Sequence, residues 1–108
     1  DRGADLIAFH SMNYAYLGIV GIAINKAKTS ANFPFPTRLV EQLGYGKDGK
    51  PPGLPGIVQV DGVIAFAGGL PIKVGDHHVG GIGVSGASAD QDETCAQAGL
   101  NAVAADLK

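Results

Sequence analysis

Val79-Gly80-Gly81-Ile82-Gly83-Val84-Ser85, then Gly86-Ala87, then Ser88-Ala89-Asp90-Gln91-Asp92-Glu93, is the stretch whose reading decides the fold. Its first part is a glycine-rich strand, in which the missing side chains let another backbone or a ligand come close. Its second part opens a helix. Ser88 is placed to cap the helix while Gln91 reaches back to the cap, a capping box. Asp90, Asp92 and Glu93 set negative charge against the positive helix end. Small residues dominate the rest of the helix, with Cys95, Ala96, Ala98, Gly99, Ala102, Ala104 and Ala105. Such a helix packs closely against a sheet.

Working upstream, Gly75-Asp76 turns the chain back into a strand over Ile72 to Val74, and Gly68-Gly69-Leu70-Pro71 breaks the strand before it. Ile57-Val58-Gln59-Val60, Asp61-Gly62 and Val63-Ile64-Ala65-Phe66 read as a hairpin closed by a type I′ turn, since an Asp-Gly pair supplies the two positive φ angles. The segment from Tyr45 to Gly56 holds four glycines and three prolines and reads as a surface loop. Pro34 and Pro36 end the helix before them, and Thr37 is expected to cap a short helix through Leu43 closed by Gly44. From Leu17 to Ala27 the chain is apolar nearly throughout, which predicts a helix covered on several sides, with Lys26 and Lys28 at its C-terminus. Asp5 to Ser11 reads as a strand. Asp1-Arg2-Gly3-Ala4 before it carries turn chemistry, so the partner of that strand is expected to lie in a missing N-terminal piece.

Strand, helix, short helix, four short strands and a long helix predict one α/β (α+β) domain over residues 1–108, an antiparallel sheet with helices against it. Hydrophobic residues make up 45% of the chain and charged residues 17%, the balance of a packed globule. Eight basic against ten acidic residues leave a net charge of −2, which gives no electrostatic reason to bind nucleic acid or an anionic membrane. No apolar stretch reaches the roughly 20 residues of a spanning helix. Cys95 is the lone cysteine. A single thiol suits a reducing compartment, and the expected location is cytoplasmic.

Several side chains could carry chemistry. His10 on the first strand and the pair His77-His78 are candidate haem or metal ligands, because imidazole binds iron and zinc well. No His-x-x-x-His or Cys-x-x-Cys spacing accompanies them, no metal site is assigned, and exposed turn histidines are the plainer reading. Neighbouring strand residues face opposite sides, so at most one of His77 and His78 points at a given pocket. Lys26 and Thr29 share a helix face and could bind a carboxylate, against the plainer reading of a solvated lysine. Gly80 to Ser88 resembles an anion cradle, although the acidic helix start argues for tight packing instead. Asp92 and Glu93 could act as acid-base groups, or could simply compensate the helix dipole. Cys95, with no basic neighbour, reads as a buried structural thiol.

Gly80 to Gly86 with Gln91-Asp92-Glu93 and Ala98-Gly99-Leu100, Gly68 to Ile72, and Ala23, Lys26, Ala27 and Thr29 together resemble the GlcG/HbpS-like family, to which PduO C-terminal domains also belong. The resemblance implies a profilin-like antiparallel sheet flanked by helices, with an N-terminal helix and first strand that this chain lacks. It further implies homo-oligomers and, for some members, haem as ligand. Where the family carries an Arg-Met-Asp-Gly type stretch, this chain has Ser11-Met12-Asn13-Tyr14. The leading expectation is a small-molecule binding protein whose pocket is walled by His10, Met12, Tyr14 and the helix bearing Lys26 and Thr29, with His78 as a further contact. The alternative is a cofactor-free enzyme acting on a small carboxylate or carbonyl compound, with Lys26 as clamp and His10 or Asp92 as acid-base group.

Overall fold

The computed structural model describes residues 17–107. The expected first strand, with His10, Met12 and Tyr14 on it or just after it, lies outside the described residues. Helix α1 spans Leu17–Asn32, helix α2 Thr37–Tyr45, strand β1 Gly69–Val74, strand β2 His77–Gly83 and helix α3 Ala89–Ala102. Short 3₁₀ turns occupy Pro55–Gln59 and Ala104–Leu107.

Strands β1 and β2 form an antiparallel hairpin around Gly75-Asp76, with Gly75 at φ +60°. Pairing runs from Gly69 opposite Gly83 to Val74 opposite His77, and it slips once between Ile72 and Lys73, where Val79 is left without a partner. Glycine decides how the layers stack. A Cβ on Gly81 or Gly83 would run into the backbone of Ala27 and Ala31, or of Ala23 and Ala27, so α1 lies directly on that face of the hairpin. On the opposite face Ile82 points at Gly99 of α3, whose Cβ would stand 3.3 Å from the Ile82 Cδ1. The domain is therefore helix, sheet, helix, as the glycine-rich strand and the small-residue helix predicted. The capping box at Ser88 and Gln91 is also present.

Several expectations are corrected. Pro36, not Thr37, holds the N-cap position of α2. The Thr37 hydroxyl is used elsewhere, accepting from the Gly69 amide at 2.9 Å and so pinning α2 to the start of β1. That helix runs past Gly44 to Tyr45, with Gly46 at φ +88° as its C-cap. Gly44 stays inside because a Cβ there would strike Val58. Lys26 is not at a helix end, since α1 continues to Asn32.

The hairpin expected over Ile57 to Phe66 does not form. Ile57 is 5% exposed and enters the core on a 3₁₀ turn, and the Ile64 amide donates to the Thr29 hydroxyl at 3.1 Å rather than to a facing strand. Asp61-Gly62 still turns the chain, with Val63 N donating to Val60 O at 3.2 Å. Only Gly62 has a positive φ there, the pattern of a type II turn. A type I′ turn does occur, at Asp48-Gly49 with φ +50° and +80°, inside the segment read as a plain loop. Two of the four expected strands after α2 exist among the described residues, and the first of them starts at Gly69 and includes Pro71.

Candidate functional site

Among the described side chains of α1 the fully buried ones are Lys26, Thr29 and Ser30, all polar, while Val20, Ile22 and Ile24 keep part of their surface. An ammonium turned inward needs partners, because desolvating an ion costs several kcal/mol. Lys26 Nζ donates to Asp92 Oδ2 at 3.0 Å and to the Val84 carbonyl at 2.9 Å. The Phe66 ring, its centre 5.0 Å from Nζ, covers a third direction. A lysine has three donors, so these partners account for its capacity.

Gly68 makes this arrangement passable. It sits at φ +132°, and a Cβ would meet both the ammonium and the Val84 carbonyl. Beyond the named end of the strand the ladder continues there, with Val84 N donating to Gly68 O at 2.9 Å.

Asp92 is 3% exposed, and its second oxygen accepts from the Ala87 amide at 3.0 Å. Ser88 N donates to Gln91 Oε1 and Gln91 N to Ser88 Oγ, each at 3.2 Å. The loop before α3 thus holds an anion, but the anion is the protein's own carboxylate. Amides that would cradle a phosphate are already in use, which supports the packing reading of these glycines.

The other two acids near the start of α3, Asp90 and Glu93, go to a residue the sequence did not single out. Arg38 Nε donates to both Glu93 oxygens at 3.0 and 3.2 Å, and its Nη2 donates to Asp90. Hydrogen bonding to Asp90 and then to Glu93 raises the guanidinium pKa further above its ordinary value. Asp92 therefore ties α3 to α1 inside the protein, while Asp90 and Glu93 tie it to α2 at the surface. No periodicity marks Arg38 for this role. Beside this network an open cleft of about 610 Å³ is lined by Pro36, Arg38, Leu70 and the α3 residues Gln97, Ala98 and Asn101, among others.

Thr29 and Lys26 share the inward face, as expected, but they serve different segments. The Thr29 hydroxyl donates to Asn25 O at 2.7 Å and receives the Ile64 amide, strapping the segment before β1 onto the helix. His78 and His77 separate as strand geometry requires. The slip at Val79 turns His78 to the α1 face, where its Nε2 lies 2.6 Å from the Ser30 carbonyl, and His77 is left exposed. Cys95 is exposed, contrary to the expected buried thiol, because α3 turns Asp92 and Ala96 inward and Cys95 away. Among the described residues no group of three His, Cys, Asp or Glu side chains could hold a metal ion. The structure brings Lys26 and Asp92 together, and it holds His78 one helical turn further along α1, against the Ser30 carbonyl.

A three-layer mixed α/β domain, with an antiparallel hairpin between helices and a buried lysine-carboxylate pair closing one end, is the class this geometry defines. The chain belongs to the HbpS-like family: the family model described as haem degrading protein HbpS-like matches residues 1–101. Among solved structures it is similar to Klebsiella pneumoniae protein ORFY of family DUF336, with 28% identity and a TM-score of 0.85, over 97% of this chain and 71% of that one. It is similar also to a PduOC:heme complex, at 24% identity and a TM-score of 0.80, over 94% and 72% of the two chains. At that identity the likeness speaks for the fold. A double mutant of Streptomyces reticuli HbpS matches at 28% identity and a TM-score of 0.68, covering 84% of this chain and 58% of that one. No curated protein matches the chain.

Proposed function

We propose that this chain is a small-molecule binding protein and that its ligand is haem. The observation that carries the reading is the family match across nearly the whole chain to proteins described as haem degrading, on a fold that also occurs in a haem complex. The chain's own donors fit the group. Imidazole is a normal axial ligand of haem iron, and His77 and His78 present two rings at the start of β2. His10, Met12 and Tyr14 remain proposed contacts of the same ligand. Haem, when bound, supplies iron-centred redox and oxygen chemistry. The chain supplies a rigid platform: the Lys26 and Asp92 pair fixes where α1 stands relative to the loop before α3, without touching ligand.

Assembly into a homo-oligomer belongs to the same proposal. Helix α1 turns polar residues inward and leaves Val20, Ile22 and Ile24 half-buried, an arrangement that a second subunit would complete. The exposed Cys95 thiol suits a reducing, cytoplasmic setting. The alternative of acid-base catalysis by Lys26 and Asp92 has less support, since each is spent on the other and closed to solvent.

Titrating the protein with hemin while recording the visible spectrum tests the proposal. A sharp, saturable Soret band is expected. A linear rise with the spectrum of free hemin and no saturation would overturn it.

A further inference from the structure

We infer that His78 Nδ1 is the axial nitrogen offered to an iron porphyrin at the C-terminal end of α1. This rests on the proposal that the ligand is haem, and three observations lead to it.

The first is the tautomer. His78 Nε2 stands 2.6 Å from the Ser30 carbonyl oxygen. A carbonyl carries no proton, so Nε2 is the N–H and donates. The lone pair of the neutral ring then lies on Nδ1. A backbone carbonyl that holds one ring nitrogen and leaves the other free is the usual support of a metal-bound histidine, because it fixes the ring's orientation and raises the ligand's basicity.

The second is the irregularity in the strand. Gly81 and Gly83 face α1, and regular alternation would turn Val79, not His78, to that side. The unpaired Val79 reverses the alternation and brings the imidazole to the helix end. Bulges of this kind recur where a side chain is re-aimed for a purpose.

The third is the company. Lys73 is the direct cross-strand partner of His78, so both side chains leave the same face of the hairpin, and Lys73 is exposed. Phe33 lies one helical turn beyond Ser30 and stacks on Phe35 with ring centres 5.9 Å apart, both half-buried. A nitrogen donor, a flat aromatic pair and an exposed ammonium are what an iron macrocycle with acidic side arms requires: a ligand for the metal, a surface for the ring and a counter-charge for a carboxylate.

The simpler use of His78 is to cap the Ser30 carbonyl, which the end of α1 leaves unpaired. Substitutions separate the two uses. His78→Gln places an amide N–H near the former Nε2 and keeps the cap, but it has no counterpart of Nδ1. His78→Gly removes both and leaves room for free imidazole. The expected results are a His78→Gln melting curve close to that of the unaltered protein, hemin affinity lowered at least tenfold with a displaced Soret band, and a native Soret band restored to the His78→Gly complex by imidazole. If His78→Gln binds hemin with unchanged affinity and spectrum, the axial assignment is wrong while the haem reading stands. If the unaltered protein binds no hemin, both fall together.

Discussion

A methionine in place of Lys26 would leave the Asp92 carboxylate buried with only the Ala87 amide to hold it. Breaking a buried ion pair from one side costs about 3–5 kcal/mol, so Lys26→Met is expected to lower the unfolding free energy by that much. The double variant Lys26→Met/Asp92→Leu is expected to recover most of it, because no unpaired charge remains. Equilibrium unfolding of the two singles and the double checks this, and equal losses in Lys26→Met and the double variant would show that the unpaired carboxylate is not what costs the stability. Gly68→Ala tests the same contact from the backbone, where φ is +132° and the ammonium occupies the space of a Cβ. A loss of at least about 1–3 kcal/mol is expected there. At this scale the sequence showed the residues but not their pairing. Lys26 and Asp92 were both legible as candidates, yet a lysine near the end of an apolar run reads as a solvated helix terminus. Nothing local reveals that α1 continues to Asn32 or that a carboxylate waits 66 positions further on.

Helix α3 is the element whose placement depends most on charge. Its buried acid should hold at any ionic strength, while the surface bridge to Arg38 should weaken with salt. Arg38→Ala is therefore expected to cost about 0.2–1 kcal/mol at low salt and less at high salt, measured by denaturation in the two conditions. The Arg38 pKa is raised, so its contribution is complete below the unfolded value and would fade only at strongly alkaline pH. Packing of α1 on β2 has no such tolerance: Gly83→Ala would push a Cβ into the Ala23 and Ala27 backbone, and overpacking of this kind costs about 1–3 kcal/mol. Thermal melting reads that loss. Elements whose cause is local were legible, as with the Ser88 to Gln91 box and the Gly75-Asp76 turn. The two Asp-Gly pairs show where locality ends. Asp48-Gly49 forms the type I′ turn because nothing else claims its flanks, whereas Asp61-Gly62 is overruled by Ile57 entering the core and by Thr29 taking the Ile64 amide.

For the molecule as a whole, the α/β layering and the family were legible because three sequence blocks and the glycine pattern agree, and the glycines proved to be contact points between α1 and the hairpin. The ligand site was less legible, since binding surfaces combine residues from several elements and the candidates His10, Met12 and Tyr14 fall outside the described residues. The half-covered apolar side of α1 predicts self-association, and light scattering at micromolar concentration should give a mass above that of one chain. Native mass spectrometry after incubation with excess hemin tests the central claim most directly, because it weighs the assembly and its ligand in one measurement. The prediction is an oligomer carrying bound haem that survives gentle activation. A spectrum showing only the ligand-free chain, at hemin concentrations well above that of the protein, would contradict it.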